Sequence, residues 1–257
     1  MKHSQELSNL VYIHVHQSEQ YVLSYGIEFK EFMAGVSEPP SKLLLLKHQF
    51  EDTEYNVHTL MEFVEHDQIN KLIKDDVYGY GDFCWVDFEE EEALNQLDGQ
   101  ELAELLYLSH VKHHLRHPFY RKLNNRFVYL AHDDGWFNKM YFRSFDEFYD
   151  MLGYSISQKL TLQKAEKTFF GLKKKKEYPV MPKEILYPFI EDMKEGIVFS
   201  VEKAEQSRAK IEIPVWVIGD FSDMDEMHEE YQTIQSQPID GKIVFDRKSR
   251  EWKAFIK

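Results

Sequence analysis

Between Arg126 and Arg143 two runs rich in β-branched and aromatic residues, FVYLA and WFNKMYF, flank the tetrapeptide His132-Asp133-Asp134-Gly135. Strand formers on both sides of an Asp-Gly step, whose glycine accepts the positive φ of a tight turn, specify a β-hairpin. Leu10 to Tyr25 repeats the pattern, with VYIHV and YVLSY around Gln17-Ser18-Glu19-Gln20, and the closing runs KIVFD and WKAFI supply a third pair. Hairpins make antiparallel neighbours. The expected fold class is therefore α+β, with a mixed or mainly antiparallel sheet built from several β-hairpins and packed against helices.

Between the hairpins the pattern reads mostly as helix. Asn56 is expected to cap a helix whose Leu60, Phe63, Val64, Leu72 and Ile73 form an apolar stripe. After a strand-like DFCWVDF (82–88), Glu89 to Glu92 sit where a helix should begin. Asp98 with Glu101 forms a capping box for the next helix, which Pro118 should end. Ser144 with Glu147 opens another, short helix carrying Phe148, Met151 and Leu152. Beyond Pro182 a long helical stretch is expected to about Lys210. The apolar run IPVWVIGDF then fits a strand buried on both faces, and DMDEMHEEY a short acidic helix. Four consecutive lysines in GLKKKKEYP repel one another and mark 171–179 as a connector. The expected organisation is an N-terminal α+β region, 1–170, and a C-terminal α+β region, 180–257, able to pack into one domain.

Hydrophobic content of 43% with 15% aromatic residues places the chain among folded globular proteins. A formal charge of −14 opposes binding to nucleic acid or to anionic lipid through a general basic surface. One cysteine, Cys84, allows no internal disulfide and fits a reducing cytoplasm. The opening MKHSQELSNLVYIHVH has no apolar core behind a basic start, so no secretory signal is expected. No run approaches the roughly 18 apolar residues of a membrane span. The chain is thus expected to be soluble and cytoplasmic, with another protein as partner and neither nucleic acid nor membrane.

The densest group of chemically capable side chains is His110, His113, His114 and His117. On a helix they span an arc of about 100°, so all four share one side. Spacings of three and four residues let two imidazoles bind one divalent metal, and His132, Asp133 or Asp134 on the hairpin is the nearest third ligand. The candidate metal set is accordingly His110, His114, His117, His132, Asp133 and Asp134. Against it, no HExxH occurs, and Leu108, Val111 and Leu115 on the opposite side of the helix would turn the histidines to water. The Asp-Asp-Gly step also serves a turn for backbone reasons alone. Asp220, directly after an apolar strand and Gly219, has the placement of a ligand-binding carboxylate, although that rule belongs to parallel sheets. Cys84, between Phe83 and Trp85, reads as a buried small hydrophobe. GxSxG, Walker A, GxGxxG and CxxC are all missing, so no catalytic residue or cofactor is assigned. The expected role is a non-enzymatic interaction or regulatory protein. The alternatives are a metal-binding protein or metal-dependent hydrolase on the histidine face and Asp133-Asp134 turn, and a pH switch built on the clustered imidazoles.

Overall fold

Alternation sets the first strand, β1 (Leu10–His16): Val11, Ile13 and Val15 turn to one side, and Tyr12, His14 and His16 to the other. It pairs with β2 (Tyr21–Tyr25) across a single 3-10 turn that closes at Gln20, φ 57°. Helix α1 (Phe29–Gly35) follows, opened by a capping box in which Glu31 Oε2 accepts from the Glu28 N–H at 3.0 Å. The leucine run becomes β3 (Lys42–Lys47). The structure is a computed structural model and describes residues 9–108, 118–132, 137–163, 166–167, 173–174 and 178–257.

The helix expected from Asn56 to Ile73 is mostly absent. The chain instead forms β4 (Glu54–Asn56), β5 (Met61–Glu65) and only a short α2 (His66–Leu72). Asn56 Oδ1 does cap, but it caps a tight turn, accepting from the His58 and Thr59 N–H groups and the Thr59 hydroxyl. Leu60 at φ 58° completes the reversal. After β6 (Phe83–Phe88), the acidic run opens a 3-10 segment, Glu91–Gln96, where an α-helix was expected. Helix α3 (Gly99–Leu108) carries its capping box as read, with Asp98 Oδ1 accepting from Gln100 N and Glu101 N at 2.9 Å each. The pair expected between Arg126 and Arg143 is β7 (Phe127–His132) and β8 (Phe137–Phe142). The helix after it, α4 (Phe145–Gln163), runs for 19 residues and is not short.

Strand β9 (Glu166–Lys167), just before the connector, pairs with β10 (Lys173–Lys174) inside it. The long helix expected from Pro182 to about Lys210 is replaced by two 3-10 turns, α5 (Ile190–Glu195), β11 (Ile197–Ser200), β12 (Glu205–Gln206) and the start of β13 (Lys210–Val217). Gly196, at φ 91°, ends helix α5 and turns the chain into the sheet. Asp223 then caps α6 (Met224–Ile234), and β14 (Gly241–Asp246) with β15 (Glu251–Ile256) forms the last hairpin.

Among the described residues, thirteen strands join one antiparallel sheet in the order β15-β14-β13-β11-β1-β2-β8-β7-β6-β3-β5-β4, with β12 beside β13. The α+β class and the antiparallel, hairpin-built sheet are therefore as the sequence implies. Two hairpin–helix units meet at its middle. Strand β2 runs against β8, with Tyr21 opposite Tyr141 and Tyr25 opposite Phe137, and α1 lies on α4. Gly35 permits that approach, because a Cβ there would stand 3.0 Å from the Met151 backbone. The buried Lys159–Glu31 ion pair, 2.8 Å, ties the same two helices together.

One face of the sheet is covered along its length by α1, α4 and the segment 178–195, over a core that includes Val11, Ile13, Trp85, Tyr129 and Phe142. The other face carries two separate apolar clusters. Leu105 and Leu108 of α3 sit on one, with Val86, Val128 and Tyr141; Met227 and Tyr231 of α6 sit on the other, with Tyr12, Tyr25 and Trp216. Leu23 touches both. Along the seam between the clusters the central strands present polar side chains. No described helix is long and apolar enough to cross a membrane.

Candidate functional site

The seam is built from the C-terminal half of β1. Residues two apart on a strand share a face, so Tyr12, His14 and His16 stand in line, beside Tyr25, Leu23 and Tyr21 of β2. Strand β11 starts only at Ile197, opposite Ile13, so it leaves the flank of His14 without a strand neighbour. Two antiparallel steps, β1 to β11 and β11 to β13, make β13 run in the direction of β1. The carboxyl ends of both strands therefore reach the same side of the sheet, and Asp220, just past β13, arrives beside His14.

The backbone around Asp220 is pinned from both sides. The Tyr12 hydroxyl donates to the Gly219 carbonyl at 3.0 Å, and the Tyr12 hydroxyl oxygen accepts from the Phe221 N–H at 3.0 Å. Burial, opposed by the Phe221 N–H and joined by the nearby Asp220, drives the Tyr12 phenol well above its ordinary value, so it stays a neutral donor. Gly196 faces Gly219 so closely that a Cβ on it would lie 1.9 Å from the Gly219 carbonyl oxygen. Only glycine fits there.

His14 is buried, at 5% exposure, and its Nε2 lies 3.0 Å from the Lys194 carbonyl oxygen. A carbonyl only accepts, so Nε2 carries the hydrogen, and in the singly protonated tautomer that this selects Nδ1 holds the lone pair. That lone pair faces His16 Nε2 at 3.1 Å and Asp220 Oδ1 at 2.8 Å. Burial and the adjacent His14 hold the His16 imidazole down at about 4, with Lys139 adding to the effect against Asp220 and Glu19. His16 is thus neutral at physiological pH. Three acceptor-capable atoms converge on one point, all within 4.8 Å of one another. Lone pair against carboxylate at such range is repulsive until a cation, a proton or a metal ion, stands between them. A metal about 2.1 Å from each ligand separates tetrahedral ligand atoms by roughly 3.4 Å, so a bound ion would spread the 3.1 Å and 2.8 Å contacts by a few tenths of an ångström.

On its other side the centre meets β2 and β8. The His16 ring stacks on Tyr21 with centroids 4.2 Å apart and planes at 21°. Lys139 Nζ lies 4.1 Å from the centroid of that tyrosine ring and 5.2 Å from the centroid of Tyr141. Lys139 is 4% exposed, and burial lowers its ammonium to about 8 against the pull of Glu19. Burial, Glu19 and Tyr141 raise the Tyr21 phenol, whose hydroxyl hydrogen-bonds the Glu19 carboxylate. Asp220, by contrast, is open to solvent, its side chain 65% exposed. The centre therefore has a wet mouth at Asp220 and a dry wall at Lys139.

Of the residues singled out in the sequence, His110, His113, His114, His117, Asp133 and Asp134 lie outside the described residues. His132 ends β7 opposite Phe137, and only its backbone is described. Cys84 lies within β6, fully buried, and burial pushes its thiol far above the ordinary value. Asp220 joins His14 and His16, two residues the motif reading did not single out. Their signal was present: His-Val-His within a strand places two imidazoles on one face. No family model, curated protein or solved structure matches this chain.

Proposed function

We propose that this chain is a metal-binding protein in which His14, His16 and Asp220 hold one divalent transition-metal ion. What carries the reading is the locked tautomer: the Lys194 carbonyl accepts a hydrogen bond from the His14 Nε2–H and so aims the Nδ1 lone pair at the other two ligands. A carbonyl on the far nitrogen is the usual outer partner of a metal-bound imidazole. Two nitrogens and one carboxylate suit zinc or ferrous iron and leave a position open to water or a ligand. Isothermal titration of zinc is expected to give one equivalent bound, lost in His16→Ala and retained in His114→Ala. Unchanged binding in His16→Ala, or its loss only in His114→Ala, returns the metal to the histidine-rich segment and overturns this reading.

A second reading, a non-enzymatic interaction protein, draws on the charge of −14 and on the outermost strand β15, whose Phe255 and Ile256 are exposed. An open sheet edge bearing apolar side chains suits a partner protein. Recovery of a stoichiometric protein partner by a chain that takes up no metal favours it. The lone, buried Cys84 supports a reducing, cytoplasmic setting for either reading.

A further inference from the structure

We propose that β15 is a self-association surface, pairing antiparallel with β15 of a second copy across a two-fold axis; this rests on the sheet-edge reading above and names its partner. Strand β15 closes one end of the sheet, and among the described residues no strand pairs with its outer side. Lys257, just past the strand, donates its N–H to the Asp240 carbonyl at 2.9 Å. By alternation the odd-numbered residues of β15 direct their backbone groups at β14. Trp252, Ala254 and Ile256 therefore turn theirs outward. An antiparallel partner must match outward groups to outward groups, which admits Ala254 opposite itself and Trp252 opposite Ile256.

Charge selects this register among those the backbone allows. Centred on Ala254, the pairing sets Glu251 opposite Lys257 on both sides of the axis, an attractive cross-strand pair. Centred on Lys253 it would set that lysine against itself, and centred on Phe255 it would set Lys253 against Lys257. Neither Glu251 nor Lys257 has an ion pair among the described residues, and the β14 neighbour of Glu251 is another carboxylate, Asp246. Lys253, a mid-strand lysine of the kind that blunts an edge, falls opposite Phe255, an aromatic ring that already takes the Lys242 ammonium 5.8 Å from its centre. Phe255 and Ile256, 47% and 48% exposed, gain cover from the second copy, Ile256 against Trp252. Symmetry closes the assembly as well. Pairing β15 with itself uses up both free strands, whereas pairing it with the opposite edge, β4, would propagate without end.

A single strand pair buries less than a standard interface, so the dimer forms at high concentration. The chain, freed of metal by a chelator, is followed by sedimentation velocity from about 10 μM to about 1 mM, and a monomer–dimer equilibrium is expected. Ala254→Pro removes an outward N–H and no bond to β14, so it is expected to fold and to associate at least about tenfold more weakly. Glu251→Lys and Lys257→Glu each alter two symmetry-related pairs and are each expected to weaken association about tenfold. The double variant, which exchanges the two charges, is expected to restore it. A chain that stays monomeric throughout overturns the inference and leaves the edge to a different protein. Unchanged association in Ala254→Pro overturns it together with the sheet-edge reading. If Ala254→Pro does not fold, the charge exchange decides, and a double variant as weak as the single ones overturns the inference.

Discussion

Replacing Lys139 by methionine is expected to stabilise the protein, although it removes a charge from the middle of the molecule. Burial lowers the ammonium from 10.5 to about 8. At about 1.4 kcal/mol per pH unit that shift corresponds to about 3.5 kcal/mol of destabilisation. Methionine has a similar length, carries no charge, and fits between Tyr21 and Tyr141. The pH dependence gives the sign. The folded-state value lies below the unfolded one, so under pH 8 both states hold the proton and the full penalty applies. Between about pH 8 and 10.5 the folded state loses its proton while the unfolded state keeps it, so wild-type stability rises relative to the variant. Urea unfolding in the presence of a chelator, at pH 7 and pH 9.5, reads both effects. The variant should lead at pH 7, with the gap narrowing at pH 9.5. A variant less stable than wild type by more than about 1 kcal/mol at pH 7, with a pH-independent gap, means that the ammonium is satisfied where it lies.

Tyr12→Phe removes both anchors of the Asp220 backbone. Zinc affinity is expected to fall about tenfold to a hundredfold and stability by about 1–2 kcal/mol, read by titration and by urea unfolding. Affinity equal to wild type would show that Asp220 needs no such anchoring. Lys159→Met strands the Glu31 carboxylate between α1 and α4 and should cost about 3–5 kcal/mol at pH 7. The cost should shrink in acid, because burial already raises the Glu31 carboxyl and protonation discharges it. A urea-midpoint change corresponding to less than about 1 kcal/mol would contradict that. Gly196→Ala drives a Cβ into the Gly219 carbonyl at a φ of 91° and is expected to lower stability by about 2–4 kcal/mol, with loss of zinc binding. A thermal melt at the wild-type temperature would count against the close approach.

The hairpins were legible because their determinants are local. Alternation and turn residues fix β1–β2, β7–β8 and β14–β15 with little help from the rest of the chain. Where the determinant is distant, the same residues mislead. Leu60, Phe63 and Val64 have helical spacing, yet Met61 and Phe63 also alternate, and a neighbour, β3, decides for the strand. The stretch after Pro182 favours helix until Gly196 turns it against β1, about 180 residues away in sequence. The centre shows the same division. His14 and His16 advertise a shared face two residues apart, but the crowded histidines of 110–117 outweigh them as a motif. Asp220 was visible as an isolated carboxylate after a strand. Its meeting with β1 depends on the order β13-β11-β1, and no short-range pattern encodes strand order.

A crystal soaked in zinc and measured on both sides of the zinc absorption edge locates the ion directly. We expect one strong anomalous peak within bonding distance of His14 Nδ1, His16 Nε2 and the Asp220 carboxylate, with the Lys194 carbonyl still accepting a hydrogen bond from the His14 Nε2–H. An empty centre, or zinc bound only among His110 to His117, would contradict the account.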